Sequence, residues 1–205
     1  MAIVRLVENG KIVIPWYGID AVGSLPTISY YIENVSSISR LVFKIYVKGL
    51  EKCVYGVCSS VNEVSPIDGI SWIEFKVVVN DKYTVSKDIK DILRVGDLIE
   101  IDATSDILPY LTDGYMTIKL TCIFHFMPNM FTHAGYHVYV DFDMAYDVKA
   151  GTPTEEEPKI TKVGYTITPS EAVGMILGSI LPLIQPILPY VILFFVFYFL
   201  IRIIF

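Results

Sequence analysis

The stretch YHVYVDFDM, residues 136–144, decides the fold class of this chain. Two sets of side chains alternate along it. One set is apolar or aromatic (Tyr136, Val138, Val140, Phe142 and Met144), and the other is mostly polar (His137, Tyr139, Asp141 and Asp143). Since successive side chains of a β-strand point to opposite faces of the sheet, this alternation predicts a strand with one buried face and one wet face.

Segments rich in β-branched and aromatic residues recur along the first 148 residues, and turn signals such as Asp113-Gly114 separate them. The predicted strands are Lys11–Ile14, Thr27–Ile32, Leu41–Val47, Val54–Cys58, Trp72–Val79, Leu98–Ala103, Tyr115–Phe126 and Tyr136–Val148. A short helical turn is predicted at 88–93. Eight or nine strands in about 150 residues favour an all-β fold. We expect an antiparallel two-sheet β-sandwich, immunoglobulin-like or jelly-roll, with one transmembrane helix at the C-terminus.

Residues 75–104, FKVVVNDKYTVSKDIKDILRVGDLIEIDAT, look like a unit of immunoglobulin-like sandwiches. A strand ends in a turn at Asn80, and Gly96-Asp97 then turns the chain into another strand. The resemblance implies a sandwich and says nothing about an activity. An ordinary hairpin, or part of an OB-like barrel, fits the same residues.

The C-terminal segment predicts a membrane anchor. No charged residue occurs between Ala172 and Ile201, and a helix of that length spans about 45 Å, whereas the hydrocarbon core of a bilayer is about 30 Å thick. Thr168 and Glu171 fit a capping box around Pro169, so the helix is expected to begin there. The residues expected to hold the anchor in lipid and at its far interface are Tyr190, Phe194, Phe195, Phe197, Phe199 and Arg202.

The first half of the anchor carries residues that weaken an isolated helix. Gly174 and Gly178 have the spacing of a helix-packing face. Pro182, Pro186 and Pro189 predict a kink within 182–189. The resulting domain organisation is a β-sandwich over 1–149, a Pro-, Thr- and Glu-rich linker over 150–167, and an anchor helix over 168–205. A single-pass membrane protein with a C-terminal anchor is therefore expected.

The charge balance disfavours nucleic acid as a partner. Arg202 is the only charged residue beyond Glu171, so residues 1–171 hold 15 basic and 22 acidic residues and a formal charge of −7. An acidic domain repels phosphate backbones. At the N-terminus, Glu8, Asn9 and Gly10 interrupt the apolar run, so no signal peptide is expected, and the chain should reach its membrane through its tail.

Few residues suggest chemistry. A Cys53–Cys58 bridge is possible, but buried thiols are favoured for the three cysteines. The one metal-like group is Cys122, His125, His133 and His137, with Asp141 and Asp143 nearby. Cys122 and His125 are three residues apart on a predicted strand and should point to opposite faces, which disfavours a closed zinc site. No catalytic residue, cofactor-binding residue or metal ligand is predicted, and no enzyme activity or cofactor is expected.

The layout of the whole chain favours a structural role at a membrane. Gln185 is the only glutamine, and such depletion of thermolabile amides fits a hot habitat. A Tyr-, Ile- and Val-rich sandwich with a terminal apolar helix resembles the membrane-anchored structural proteins of archaeal virus particles. The resemblance implies a non-enzymatic virion component that links a lipid membrane to a protein shell or surface structure. Its partners would be the bilayer and other structural proteins or copies of itself. The alternatives are a cellular tail-anchored or envelope adaptor and a membrane-bound metalloenzyme.

Overall fold

The computed structural model describes residues 2–15, 20–127 and 134–166 of the chain. Strands account for most of them. Their bounds are β1 (Ala2–Ile14), β2 (Ala21–Ser24), β3 (Thr27–Glu33), β4 (Ile38–Val54), β5 (Val57–Val61), β6 (Ile70–Val79), β7 (Tyr83–Ile89), β8 (Leu98–Asp102), β9 (Gly114–Phe126), β10 (Ala134–Val148) and β11 (Lys159–Thr166). Within these ranges the only helical segments are four single 3₁₀ turns.

The strands form two sheets in which every pairing is antiparallel. Sheet A has the order β1-β10-β4-β5, and β8 also pairs with β4. Sheet B has the order β11-β3-β9-β6-β7, and β2 also pairs with β9. The predicted all-β fold with two antiparallel sheets is confirmed.

In each sheet, one edge of a long strand pairs with two shorter strands, one after the other. In sheet A, residues 42–46 of β4 pair with β8, and residues 50–54 pair with β5. In sheet B, residues 114–118 of β9 pair with β3, and residues 121–124 pair with β2. The β4–β5 pairing therefore extends sheet A beyond the part that β8 completes.

A single apolar core lies between the sheets. The alternation predicted for β10 is confirmed, since Tyr136, Val138, Val140, Phe142 and Met144 are all buried. The ring of Phe142 stacks on Phe43 of β4 at 5.7 Å between centroids. Tyr136 of sheet A stacks on Phe124 of sheet B at 5.5 Å. Each such buried ring contributes about 1.5–3 kcal/mol.

Three local predictions are wrong. The predicted strand Val54–Cys58 is the tip of a hairpin, because the chain turns at Tyr55-Gly56 between β4 and β5. The helical turn predicted at 88–93 is absent, because β7 continues to Ile89 and a bend follows. The predicted linker 150–167 contains β11, which pairs with β3 from Lys159↔Glu33 to Thr166↔Thr27. Exposed polar residues such as Thr161 and Lys162 favour a linker, whereas the backbone of this segment completes the edge of sheet B.

The chain forms two compact units, Met1–Thr166 and Ile167–Phe205, and the sandwich belongs to the first of them. The predicted cap, packing, kink and anchor residues between Thr168 and Arg202 lie outside the described residues. Within the described ranges, no helix has the length and apolar character needed to cross a membrane.

Candidate functional site

Among the described residues, one group of three or more potential metal ligands comes together, and it lies on the outer face of sheet A. It is built around the β4–β5 hairpin, whose two-residue loop consists of Tyr55 and Gly56. Both have positive φ, at 48° and 82°, as a type I′ turn requires. This turn places Cys53 of β4 directly opposite Cys58 of β5. The two cysteines form a disulfide.

The favoured interpretation of Cys53 and Cys58 as buried thiols is therefore wrong. Cys58 is exposed and Cys53 is half-buried. Both side chains lie on the outer face of sheet A, which points away from the core, because they alternate with residues such as the buried Leu50. The signal that the sequence offered is Tyr55-Gly56 midway between the two cysteines, because a two-residue turn there makes them cross-strand partners.

His137 of β10 lies beside this disulfide. Its ring nitrogens Nδ1 and Nε2 are 3.6 Å and 3.7 Å from Cys53 Sγ. The β10 residue directly opposite Cys53 is Gly135, which has no side chain, so the imidazole two residues further on can lean over the cysteine. The ligand atoms of Cys53, Cys58 and His137 all lie within 4.8 Å of one another.

Glu51 orients the histidine. Its Oε2 atom is 2.9 Å from His137 Nδ1 and accepts a hydrogen bond from the Tyr139 hydroxyl, also at 2.9 Å. The hydrogen bond from His137, followed by that from Tyr139, lowers the pKa of the Glu51 carboxyl. Burial, followed by the bond to Glu51, raises the pKa of Tyr139. A carboxylate has only acceptor atoms, so this bond places a proton on Nδ1 and leaves Nε2 free to accept or to bind a metal.

The predicted group of Cys122, His125, His133 and His137 is not brought together among its described members. Cys122 is buried in the core, and burial raises its pKa, which keeps the thiol uncharged. His125 lies on the outer face of sheet B, stacked on Trp72 at 3.5 Å between centroids. The prediction that Cys122 and His125 point to opposite faces is confirmed. His137 is on sheet A, and His133 lies outside the described residues.

A buried polar network fixes the inner side of β10. Tyr136 donates a hydrogen bond to the Asp68 carboxylate and accepts one from the Ser65 N–H at 3.1 Å. Lys52 Nζ binds the other oxygen of Asp68 at 2.8 Å. Asp68 is 8% exposed, so its charge is compensated by these two partners instead of by bulk water. The network joins β4 and β10 to the 3₁₀ turn Pro66–Asp68, which precedes β6.

The hairpin tip is apolar and exposed. Val57 is 75% exposed, Tyr55 is 59% exposed and Val54 is 37% exposed. The middle of the outer face of sheet A is charged, since ion pairs such as Lys44–Glu100 at 2.5 Å and Lys48–Asp141 at 3.3 Å lie across it. The tip therefore presents apolar side chains beside a charged surface.

No protein-family model matches this chain, and no curated protein matches it. Among solved structures, that of the infectious bursal disease virus Gx strain is similar at 12% identity and a TM-score of 0.32, over 80% of this chain. The chain spans 36% of the length of that structure's chain. A structure of Desmodium yellow mottle tymovirus is similar at 10% identity and a TM-score of 0.21, over 74% of this chain and 91% of the other. Both similarities are weak and assign neither a family nor an activity.

Proposed function

We propose that this protein is a non-enzymatic structural component that assembles through its β-sandwich, with the C-terminal segment anchored in a lipid bilayer. The observation that carries the proposal is the exposed edge strand β5 together with the apolar hairpin tip, Val54, Tyr55 and Val57. β5 pairs with β4 alone among the described strands, and residues 57–60 are all exposed. An edge strand with unpaired backbone groups is a ready template for another strand, and exposed apolar side chains add burial energy.

The strand order supports the same class of function. Sheet A contains β1-β10-β4-β8, and sheet B contains β3-β9-β6-β7. This order favours the jelly-roll alternative over the immunoglobulin-like one. Jelly rolls occur in viral capsid domains, and also in lectins and cupins. The same fold serves unrelated functions, so the jelly roll favours a virion component without requiring it.

The proposed partner at the hairpin edge is a second copy of this chain. Like-sign repulsion between acidic domains is an obstacle to self-association, but the hairpin tip offers an uncharged contact, namely Val54, Tyr55 and Val57. Burying one valine side chain stabilises an interface by about 1.5 kcal/mol or more, which corresponds to about a tenfold change in affinity.

The test is sedimentation of the full chain in detergent across a range of concentrations. We expect concentration-dependent assembly that Val57→Lys weakens by about tenfold or more. The matched control is Val163→Lys on β11, because Val163 is 51% exposed on the edge of the other sheet. A monomer at all concentrations, or equal effects of the two lysines, contradicts assembly through β5.

Anchoring is tested separately by flotation with lipid vesicles. We expect the full chain to float and a chain lacking residues 168–205 to remain in the dense fraction with its β-sheet circular dichroism intact. Flotation of the shortened chain would place the lipid contact in the sandwich. The virion proposal predicts the protein in purified particles, whereas the alternative of a cellular tail-anchored or envelope adaptor predicts it in ordinary cell membranes.

A further inference from the structure

We propose that the β4–β5 hairpin is a redox-gated metal site, in which Cys53, Cys58 and His137 bind a zinc-class divalent cation when the disulfide is reduced. The proposal concerns the outer face of sheet A and does not require the proposed assembly, although Cys58 lies on β5, the strand through which the assembly is proposed. Three observations lead to it: the cross-strand cysteine pair, the imidazole that lies against it, and the carboxylate that holds the imidazole.

The first observation is the donor set. Two thiolates and an imidazole are the ligands that Zn²⁺ prefers, and soft sulfur ligands select zinc over magnesium or calcium. The three ligand atoms come from three adjacent strands, β5, β4 and β10, whose antiparallel pairing is continuous at this position. The backbone is therefore already in place before any metal binds.

The second observation is distance. With Zn–S near 2.3 Å and Zn–N near 2.0–2.1 Å, a tetrahedral site has an S···N edge of about 3.6 Å. Cys53 Sγ and His137 Nε2 are 3.7 Å apart. After reduction the two sulfur atoms must separate to an edge of about 3.8 Å, which rotation of the exposed Cys58 side chain can supply. The cation then takes the space between the three ligand atoms.

The third observation is the support around His137. Metal-binding histidines usually donate their second ring N–H to a carboxylate, which fixes the ring and its tautomer. Glu51 accepts that hydrogen bond at 2.9 Å, and Tyr139 holds the same carboxylate oxygen at 2.9 Å. Glu51 thus directs Nε2 to the metal and acts as a positioning residue. Water takes the fourth coordination position.

The gating reaction balances with a thiol reductant. Two thiol molecules supply two electrons and two protons, which convert the Cys53–Cys58 disulfide into two thiols, and the reductant leaves as its own disulfide. The cation then displaces the two thiol protons, and two Zn–S bonds form. Because Cys58 is exposed, a reductant in a reducing compartment reaches the disulfide without unfolding the sandwich.

The experiment uses the full chain and Co²⁺ alone as the probe, with a phosphine reductant that competes weakly for metal. We expect the reduced protein to bind one Co²⁺ with a thiolate-to-cobalt charge-transfer band and tetrahedral d–d bands, and Zn²⁺ to displace it. The oxidised protein should show no such bands. His137→Ala should weaken Co²⁺ binding more than tenfold, and Glu51→Ala should weaken it by about 10- to 100-fold.

Two control variants separate this site from others. Cys122→Ala removes the buried third cysteine, and His125→Ala removes the histidine on sheet B, so both should bind Co²⁺ as the unmodified protein does. Absence of the charge-transfer band after reduction, equal binding by the oxidised chain, or an unchanged affinity in His137→Ala overturns the proposal. Loss of β-sheet circular dichroism on reduction also overturns it, because an unfolded hairpin holds no site.

Discussion

Replacing Tyr136 by phenylalanine should destabilise the sandwich far more than the same replacement at Tyr139. Both hydroxyls donate to a carboxylate, so the chemical change is identical. At Tyr136 the substitution removes a hydrogen bond to the buried charge of Asp68, which is worth about 1.5–3 kcal/mol, and leaves the Ser65 N–H without its acceptor, at a further cost of about 1 kcal/mol or more. The expected loss is about 3 kcal/mol. At Tyr139, water replaces the hydroxyl at the half-exposed Glu51, and the expected loss is below about 1 kcal/mol.

Equilibrium unfolding in urea, followed by far-UV circular dichroism, measures the difference. With a slope of about 2 kcal/mol per molar, Tyr136→Phe should lower the midpoint by about 1.5 M and leave the slope unchanged. Burial, followed by the neighbouring Asp68, raises the pKa of Tyr136, so the hydroxyl remains a donor across the accessible pH range. Equal shifts for the two variants, or a larger shift for Tyr139→Phe, would refute the view that Asp68 depends on this hydroxyl.

Two further predictions concern packing and pH. Gly23→Ala should destabilise the protein by about 1–3 kcal/mol or more, because a Cβ atom there would lie 2.3 Å from the backbone oxygen of Val13. Thermal unfolding measures this loss, and a decrease in Tm of less than about 1 °C would contradict the prediction. Hydrogen bonds from the Thr104 side chain and backbone lower the pKa of Asp102 from its usual 3.8. The ionised Asp102 carboxylate therefore adds to the free energy of unfolding above about pH 4, and this stabilisation is lost as the pH falls. Unfolding curves between pH 5 and about pH 2 should therefore be less pH-dependent in Asp102→Asn than in the control Asp106→Asn, and equal slopes would count against this.

The sequence alone predicts strands such as β9 and β10, whose pattern is dictated by the core, although it does not predict β7. Alternation in β10 identifies its buried face correctly, because every second residue meets the opposite sheet. The sequence does not predict β11, because this strand lies at an edge, where pairing is through the backbone and Lys159, Thr161 and Lys162 are exposed. The predicted strand Val54–Cys58 is wrong for a different reason, because the turn at Tyr55-Gly56 lies inside a run of apolar residues that is typical of a strand.

The candidate site depends on register, which a single sequence specifies poorly. His137 lies opposite Glu51 and diagonally from Cys53 only because β10 and β4 pair with one particular alignment. A shift of one residue would move His137 to the core face. The histidine and the two cysteines are separated by about 80 residues in sequence, so local spacing offers no sign that they meet.

The position of β11 has a mechanical consequence. A pulling force applied beyond Thr166 reaches the sandwich through the β11–β3 ladder. Over residues 159–164, Ile160 packs against the core whereas Val163 is 51% exposed. That ladder is the part expected to yield first, while the core between the sheets stays intact. Release of residues 150–166 would add roughly 55–60 Å of extended chain. If the proposed anchor holds the segment beyond Thr166, the edge strand β11 would supply extra chain length under load before the core of the sandwich is disturbed.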